Sequence, residues 1–173
     1  MLREIILISL KKKKRNNIIL GIAGVVIIGL VVSFYYTAEQ TRIKGFTFGN
    51  ELQSIQVDLK KLQTDFQSEF LMWEDEEISN DEFLEYSKKH ISKMEELVLR
   101  YDALEPPEAF ATSIELFKLS TQSQLEGDKE TILFVQTGDK GAKIRSDALI
   151  KDAFEYELGA LAKFNAAKAG IQP

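Results

Sequence analysis

Side chains suited to catalysis or metal binding are scarce in this chain of 173 residues. It has no cysteine, which excludes disulfides, Cys-ligated zinc, iron–sulfur clusters and thiol nucleophiles. Its one histidine, His90, lies seven residues from both Phe83 and Leu97, at the edge of an apolar helical stripe. We expect a partly packed histidine there, because no Ser, Cys or Asp accompanies it at a motif spacing.

Carboxylates are the remaining candidates, and they are densest in one short acidic run. Carboxylate oxygens suit calcium, but the sequence has no EF-hand loop pattern and no second histidine for a di-iron bundle site. We interpret the run as a solvated turn whose charge favours the N-terminus of the next helix. A contact with a basic partner or a loosely held cation stays open, so we name the run the acidic turn: Glu74, Asp75, Glu76 and Glu77. No catalytic, cofactor-binding or metal-binding residue is predicted.

The charges divide the chain into two parts. Residues 1–36 hold six basic residues and one acid, a net charge of +5, whereas residues 37–173 hold 16 basic and 26 acidic residues, a net charge of −10. The acidic remainder argues against nucleic acid as a partner. Residues 18–36 form a run of 19 without any charge. As a helix this run would be about 28 Å long, close to the roughly 30 Å of a bilayer's hydrocarbon core.

We therefore predict a single uncleaved transmembrane helix at residues 18–36, after a cytoplasmic basic tail at 1–17. The positive-inside rule keeps the basic flank in the cytoplasm and places the C-terminal part outside the cell membrane. A cleaved signal peptide is the alternative, although its apolar run is usually only about 7–15 residues. The topology determinants are Lys11, Lys12, Lys13, Lys14 and Arg15.

Small residues on the predicted span indicate lateral contacts with other membrane helices. Such residues let two helix backbones approach closely. The candidate contact residues are Gly21, Gly24, Gly29 and Ser33. We therefore expect the lipid bilayer and other membrane-protein subunits as partners, and the sequence indicates no small-molecule substrate.

After a juxtamembrane connector at 37–45, residues 46–173 have the pattern of an all-α domain with four long helices. Their apolar residues recur three or four positions apart, which is one face of a helix and not a strand. The connections are short, so consecutive helices should be antiparallel neighbours in an up-down-up-down four-helix bundle. We expect Leu59, Leu62 and Phe117 in its core, with the aromatic run of Phe66, Phe70 and Trp73.

Capping and breaking residues set the predicted helix ends. The first helix should cover 46–77, and the second should begin after Ser79, which forms a capping box with Glu82. The second helix should end at 105, before two prolines, and its predicted apolar stripe is Leu84, Ile91, Met94, Val98 and Tyr101. The third should run from Pro107 to a C-terminal cap at Gly138, with a break at Gly127 left open. The fourth should cover 139–169.

One resemblance follows from the architecture and from the turn Leu104-Glu105-Pro106-Pro107-Glu108. A Lys-rich tail, a single span and a helical outer domain resemble the helical accessory subunits of archaeal ammonia monooxygenase complexes. The resemblance spans the whole chain as an architecture. It implies a non-catalytic subunit whose complex carries its copper sites on other subunits.

The sequence thus predicts a non-catalytic, membrane-anchored helical subunit or scaffold of a larger membrane complex. An extracytoplasmic ligand-sensing module that signals through a separate partner is the alternative, because four-helix ectodomains sense small molecules in chemoreceptors and histidine kinases. The two hypotheses differ in whether the outer domain binds a partner surface or a ligand.

Overall fold

The computed structural model describes residues 41–170, and within that range the chain is all-α without a strand. The helices are α1 (Thr41–Glu74), α2 (Asn80–Asp102), a short 3-10 helix (Glu108–Phe110), α3 (Ala111–Thr137) and α4 (Lys140–Lys168). The prediction of an all-α domain is confirmed for this range. None of these helices combines the length and apolar character that crossing a membrane requires. The span predicted at 18–36 lies outside the described residues.

The four helices pack as a bundle in which consecutive helices are antiparallel. Contacts pair the early part of each helix with the late part of the next, as antiparallel neighbours require. Lys143 of α4 lies over the ring of Phe70 of α1, with its Nζ 5.0 Å from the ring centroid, so the last helix also reaches the first. The pairs that show the order are Gln56 with Tyr101 and Phe70 with Phe83 for α1 and α2, Tyr101 with Thr121 and His90 with Asp128 for α2 and α3, and Ser120 with Ala153 and Thr131 with Ser146 for α3 and α4.

Two apolar clusters form the core. The larger cluster takes residues from all four helices and includes Leu59 and Phe117, whose predicted burial is confirmed. Leu62 is only half-buried and packs against this cluster from its edge. The smaller cluster surrounds Phe83 near the α1–α2 turn. Its buried members are Phe66, Phe70, Phe83 and Val135, with Trp73 partly buried against them.

The buried face of α2 differs from the predicted stripe. Of that stripe only Met94 and Tyr101 are buried, while Leu84, Ile91 and Val98 are half-buried. The face is rotated because two polar residues occupy core positions, which apolar counting does not register. The buried residues are Phe83, Ser87, His90, Met94, Leu97 and Tyr101, spaced alternately four and three apart.

Helix ends follow the capping signals, with shifts of a few residues. The capping box is confirmed: Glu82 N donates to Ser79 Oγ at 3.3 Å, and Ser79 N donates to Glu82 Oε2 at 2.8 Å. α1 already includes residues 41–45, which the sequence assigned to the connector, and α2 ends at Asp102, three residues before the predicted end.

Two glycines of α3 have separate roles. Gly138 caps the helix in the left-handed conformation, with φ 70° and its N–H donating to Phe134 O, as predicted. Gly127 does not break the helix, which is continuous from Ala111 to Thr137. A Cβ added to Gly127 would lie 3.0 Å from Ile150 Cδ1, so the glycine permits close approach of α4.

Candidate functional site

Three helices each place one polar side chain at the same level of the core. His90 occupies the buried face of α2, seven residues from Phe83 and seven from Leu97. Asp128 occupies the equivalent position on α3, where Ile114, Thr121, Asp128 and Val135 are buried at seven-residue intervals. Gln63 of α1 completes the group. We call His90, Asp128 and Gln63 the central polar cluster.

The cluster is joined by short hydrogen bonds to one carboxylate oxygen. His90 Nε2 lies 2.8 Å from Asp128 Oδ2, and Gln63 Nε2 donates to the same oxygen at 2.9 Å. The side chain of His90 is 0% exposed and that of Asp128 is 4% exposed. Burial of this degree keeps a substrate away while the bundle is closed, so the pair can hold a proton but cannot touch a reacting molecule.

Two aromatic rings lie parallel to the imidazole. The ring of Phe66 stacks on that of His90 with centroids 4.3 Å apart and planes 19° apart, and Tyr86 lies parallel at 6.3 Å. Gln63 Nε2 also approaches Met94 Sδ at 3.7 Å. His90 Nδ1 is buried and has no hydrogen-bond partner among the described residues. The hydrogen bond of His90 Nε2 is therefore the only one that the ring makes within residues 41–170.

The surroundings favour the neutral form of the carboxyl group. Burial raises the pKa of Asp128, and the hydrogen bonds from His90 and Gln63 oppose that shift only in part. Burial also raises the pKa of Tyr86 to about 12, and the nearby charges of Asp65, Glu69 and Asp128 act in the same direction. The cluster thus sits where negative charge is disfavoured.

A second polar group lies nearer the other end of the bundle. Gln56 Nε2 donates to the Tyr101 hydroxyl at 2.6 Å, and Thr121 Oγ1 lies 3.3 Å from the same oxygen. Burial raises the pKa of Tyr101, and the negative charge of Glu157 raises it further. Burial also raises the pKa of Glu157 itself to about 7. The core therefore holds ionisable groups at two levels.

The expectation that His90 is only partly packed at the edge of the core is wrong, because it is buried and paired with Asp128. The pairing was missed because Asp128 lies 38 residues away on another helix, outside any local motif. A signal was nevertheless present. Asp128 lies seven residues from Thr121 and seven from Val135, which marks a core position occupied by an acid. A buried acid needs a partner, and His90 was the one imidazole able to supply it.

The acidic turn lies where the sequence placed it, exposed between α1 and α2. Its backbone forms a Schellman motif, in which Glu77 N donates to Met72 O and Glu76 N donates to Trp73 O. Glu76 takes the left-handed position with φ 61°, the one non-glycine residue of 41–170 with a positive φ. No group of three or more His, Cys, Asp or Glu residues within 41–170 is arranged to hold a metal ion.

The other predicted site residues lie outside the described part of the chain. They are the small residues of the predicted span, Gly21, Gly24, Gly29 and Ser33, and the basic flank, Lys11, Lys12, Lys13, Lys14 and Arg15.

A further surface feature appears on α4, which has apolar residues on two sides. Its inner side is buried in the bundle through small residues and Phe164. A second set lies on the outer side at spacings of 10 and 4 residues, with Ile144 69% and Leu158 47% exposed. We call this set the outer stripe of α4: Ile144, Phe154 and Leu158, of which Phe154 is half-buried.

Comparison of the chain with protein-family models, with curated proteins and with solved structures finds no match in any of the three.

Proposed function

We propose that the protein is a non-catalytic helical subunit that is anchored in the cell membrane and acts by binding a larger membrane complex. The outer stripe of α4 is the observation that carries this proposal. Large apolar side chains grouped on one exposed helix side mark a site of contact more often than scattered ones do. The uncharged run at 18–36, its basic flank and its small residues support the anchor and a second contact within the membrane.

The contact is tested with the full chain carrying an affinity tag, extracted gently from the cells that express it. Native gel separation and mass spectrometry should show a defined assembly. Changing Ile144 and Leu158 together to glutamate should remove the partner subunits from it, because burying two carboxylates in an apolar interface is costly. The control is Leu99→Glu on α2, which adds one carboxylate, half of the added charge, at a 67% exposed leucine away from α4.

A partner recovered equally with all three proteins would contradict the role of α4, and it would move the contact to the predicted span. Absence of any stoichiometric partner of the unmodified chain would contradict the proposed function itself. The resemblance to accessory subunits of archaeal ammonia monooxygenases stays a prediction, which the identity of the co-purified subunits would test.

The anchor and its orientation need a separate test. The chain has no cysteine, so Ser92→Cys, at an exposed position of α2, introduces a unique thiol. A membrane-impermeant maleimide should label it in intact cells. Labelling only after lysis would contradict an extracytoplasmic bundle.

A second candidate function is an extracytoplasmic sensing module that signals through a separate partner. The central polar cluster favours this candidate, because ionisable groups in a core cost stability unless they are paired. A sensing module requires that ligand binding changes the packing or protonation of the core. The proposed subunit function requires only an exposed surface that binds the partner.

A further inference from the structure

We infer that His90 and Asp128 form a binding site for one proton in the core of the bundle, and that this proton couples the packing of α1, α2 and α3 to pH. The inference goes beyond the proposed function. It concerns the interior and stands whether or not the outer stripe of α4 has a partner.

The argument begins with charge. Both side chains are buried, and their polar atoms are 2.8 Å apart. With one proton between them, the pair has no net charge, either as imidazolium and carboxylate or as imidazole and carboxylic acid. Without that proton, a net negative charge remains in the core. With a second proton, the net charge is positive. Since burying an uncompensated charge is costly, the folded bundle favours the state with one proton.

No other described group can take over the role of that proton. Gln63 donates one hydrogen bond but has no charge, and among residues 41–170 no Lys or Arg contacts Asp128. At this level α4 presents Leu149 and Ile150 to the neighbouring Gly127. The charge of the carboxylate can therefore be balanced only from His90.

The charged groups around the cluster come from all four helices. Asp65 and Glu69 of α1 add negative charge near Tyr86 of α2, whose ring lies parallel to the imidazole. Lys129 of α3 is paired with Glu126 and with Glu95 of α2, and Arg145 of α4 is paired with Glu130. The charges in these ion pairs are largely balanced.

The second ring nitrogen does not fix the form of the imidazole. A hydrogen bond to that nitrogen usually selects the tautomer, and His90 Nδ1 has no such partner within the described residues. The hydrogen bond to Asp128 is therefore the one that holds the ring, and a change in protonation should alter the environment of the whole ring.

The sign of the pH dependence follows from linkage. In an unfolded chain a free carboxyl group and a free imidazole titrate at about 3.9 and about 6.5. Above about pH 6.5 the unfolded chain has lost both protons. The folded pair should keep one, because its buried carboxylate has no other charge partner among the described residues and burial raises the pKa of Asp128. Folding then takes up a proton, so stability falls as pH rises. Stability stops falling with pH once the folded pair has released its proton. Within this window the unfolding constant rises by up to tenfold per pH unit.

The test measures the unfolding constant of the full chain in detergent at pH values from 6 to 9. Denaturant unfolds the chain, and circular dichroism monitors the unfolding. The key variant is Asp128→Asn, which keeps an oxygen to accept from His90 and Gln63 but cannot ionise. The matched control is Asp152→Asn, at an exposed position of α4. The unmodified chain and the control should share the steep rise in the unfolding constant. In Asp128→Asn the rise should shrink to less than about twofold per pH unit, once the part due to Glu157, whose pKa burial raises to about 7, is subtracted by measuring Glu157→Gln.

A second measurement does not depend on the variant's folding. His90 is the only histidine of the chain, so histidine-specific isotope labelling gives one imidazole in the NMR spectrum. In the folded, unmodified chain its ring signals should change in one step, at the pH where the rise in the unfolding constant levels off, because both mark release of the proton that the pair shares. Ring signals that stay constant where the rise levels off would overturn the inference. So would a rise in the unfolding constant that is equally steep in a folded Asp128→Asn variant.

Discussion

Replacing Glu76 by glycine should stabilise the bundle, although it removes a side chain and adds none. Glu76 has φ 61° at the left-handed position of the Schellman motif that ends α1. For a residue with a Cβ this conformation costs about 1–2 kcal/mol relative to the right-handed one. Glycine has no such cost. The two backbone hydrogen bonds of the motif are made by main-chain atoms, so the substitution leaves both in place.

The expected gain is smaller than the strain itself. Glycine gives the unfolded chain more freedom, which offsets about 0.4–1 kcal/mol. Glu76 is exposed, so little packing is lost with its side chain. The net gain in the free energy of unfolding should be about 1 kcal/mol, or a rise in Tm of about 4 °C for a domain of this size.

Urea unfolding followed by circular dichroism measures this gain. Glu76→Ala is the matched control, because it removes the same charge but keeps the Cβ that causes the strain. The glycine variant should exceed the alanine variant by most of the 1 kcal/mol. Equal stability of the two variants would refute the assignment of strain to the backbone and leave charge as the cause. A loss of stability in the glycine variant would refute the motif.

Other substitutions test the core and the capping box. Phe83→Ala should cost about 3–5 kcal/mol, because the side chain is 0% exposed among the rings of Phe66 and Phe70, whereas Leu99→Ala at a 67% exposed position should stay within about 0.5 kcal/mol; comparable costs in denaturant unfolding would contradict the smaller core cluster. Ser79→Ala should cost about 1 kcal/mol by the same measurement, since it leaves the start of α2 without its side-chain acceptor, and an unchanged midpoint would mean that the cap is replaced by water.

The helices could be predicted from the sequence because their apolar residues repeat along one chain segment. The run that includes Leu59, Phe66 and Phe70 is a local pattern, and the capping residues Ser79 and Gly138 act on neighbours within a few positions. Such signals need no knowledge of the partner helix. For this reason the number of helices within 41–170 and their antiparallel order were predicted well.

The central polar cluster could not be predicted from these local signals. Gln63 and Asp128 are 65 residues apart. The spacing within α3 marks Asp128 as a core position, but it does not say which residue of another helix is its partner. Only the register between α1, α2 and α3 turns them into partners of His90. The same holds for Gly127. Considered on its own helix, this glycine suggested a possible break, whereas its role is to allow close contact with α4.

The antiparallel order also gives the bundle a direction in its response to force. Phe110 contacts Phe48 near the start of α1 and Phe164 near the end of α4, with ring centroids 5.9 Å and 5.0 Å apart, so the two ends of the described chain lie at one end of the bundle. α1 has 34 residues and is about 51 Å long, which places the acidic turn at the far end. A pull between the two ends of the described chain would therefore first load the ring contacts that Phe110 makes with Phe48 and Phe164. The packing nearer the acidic turn would be loaded only after these rings had separated, so the bundle should yield at low force.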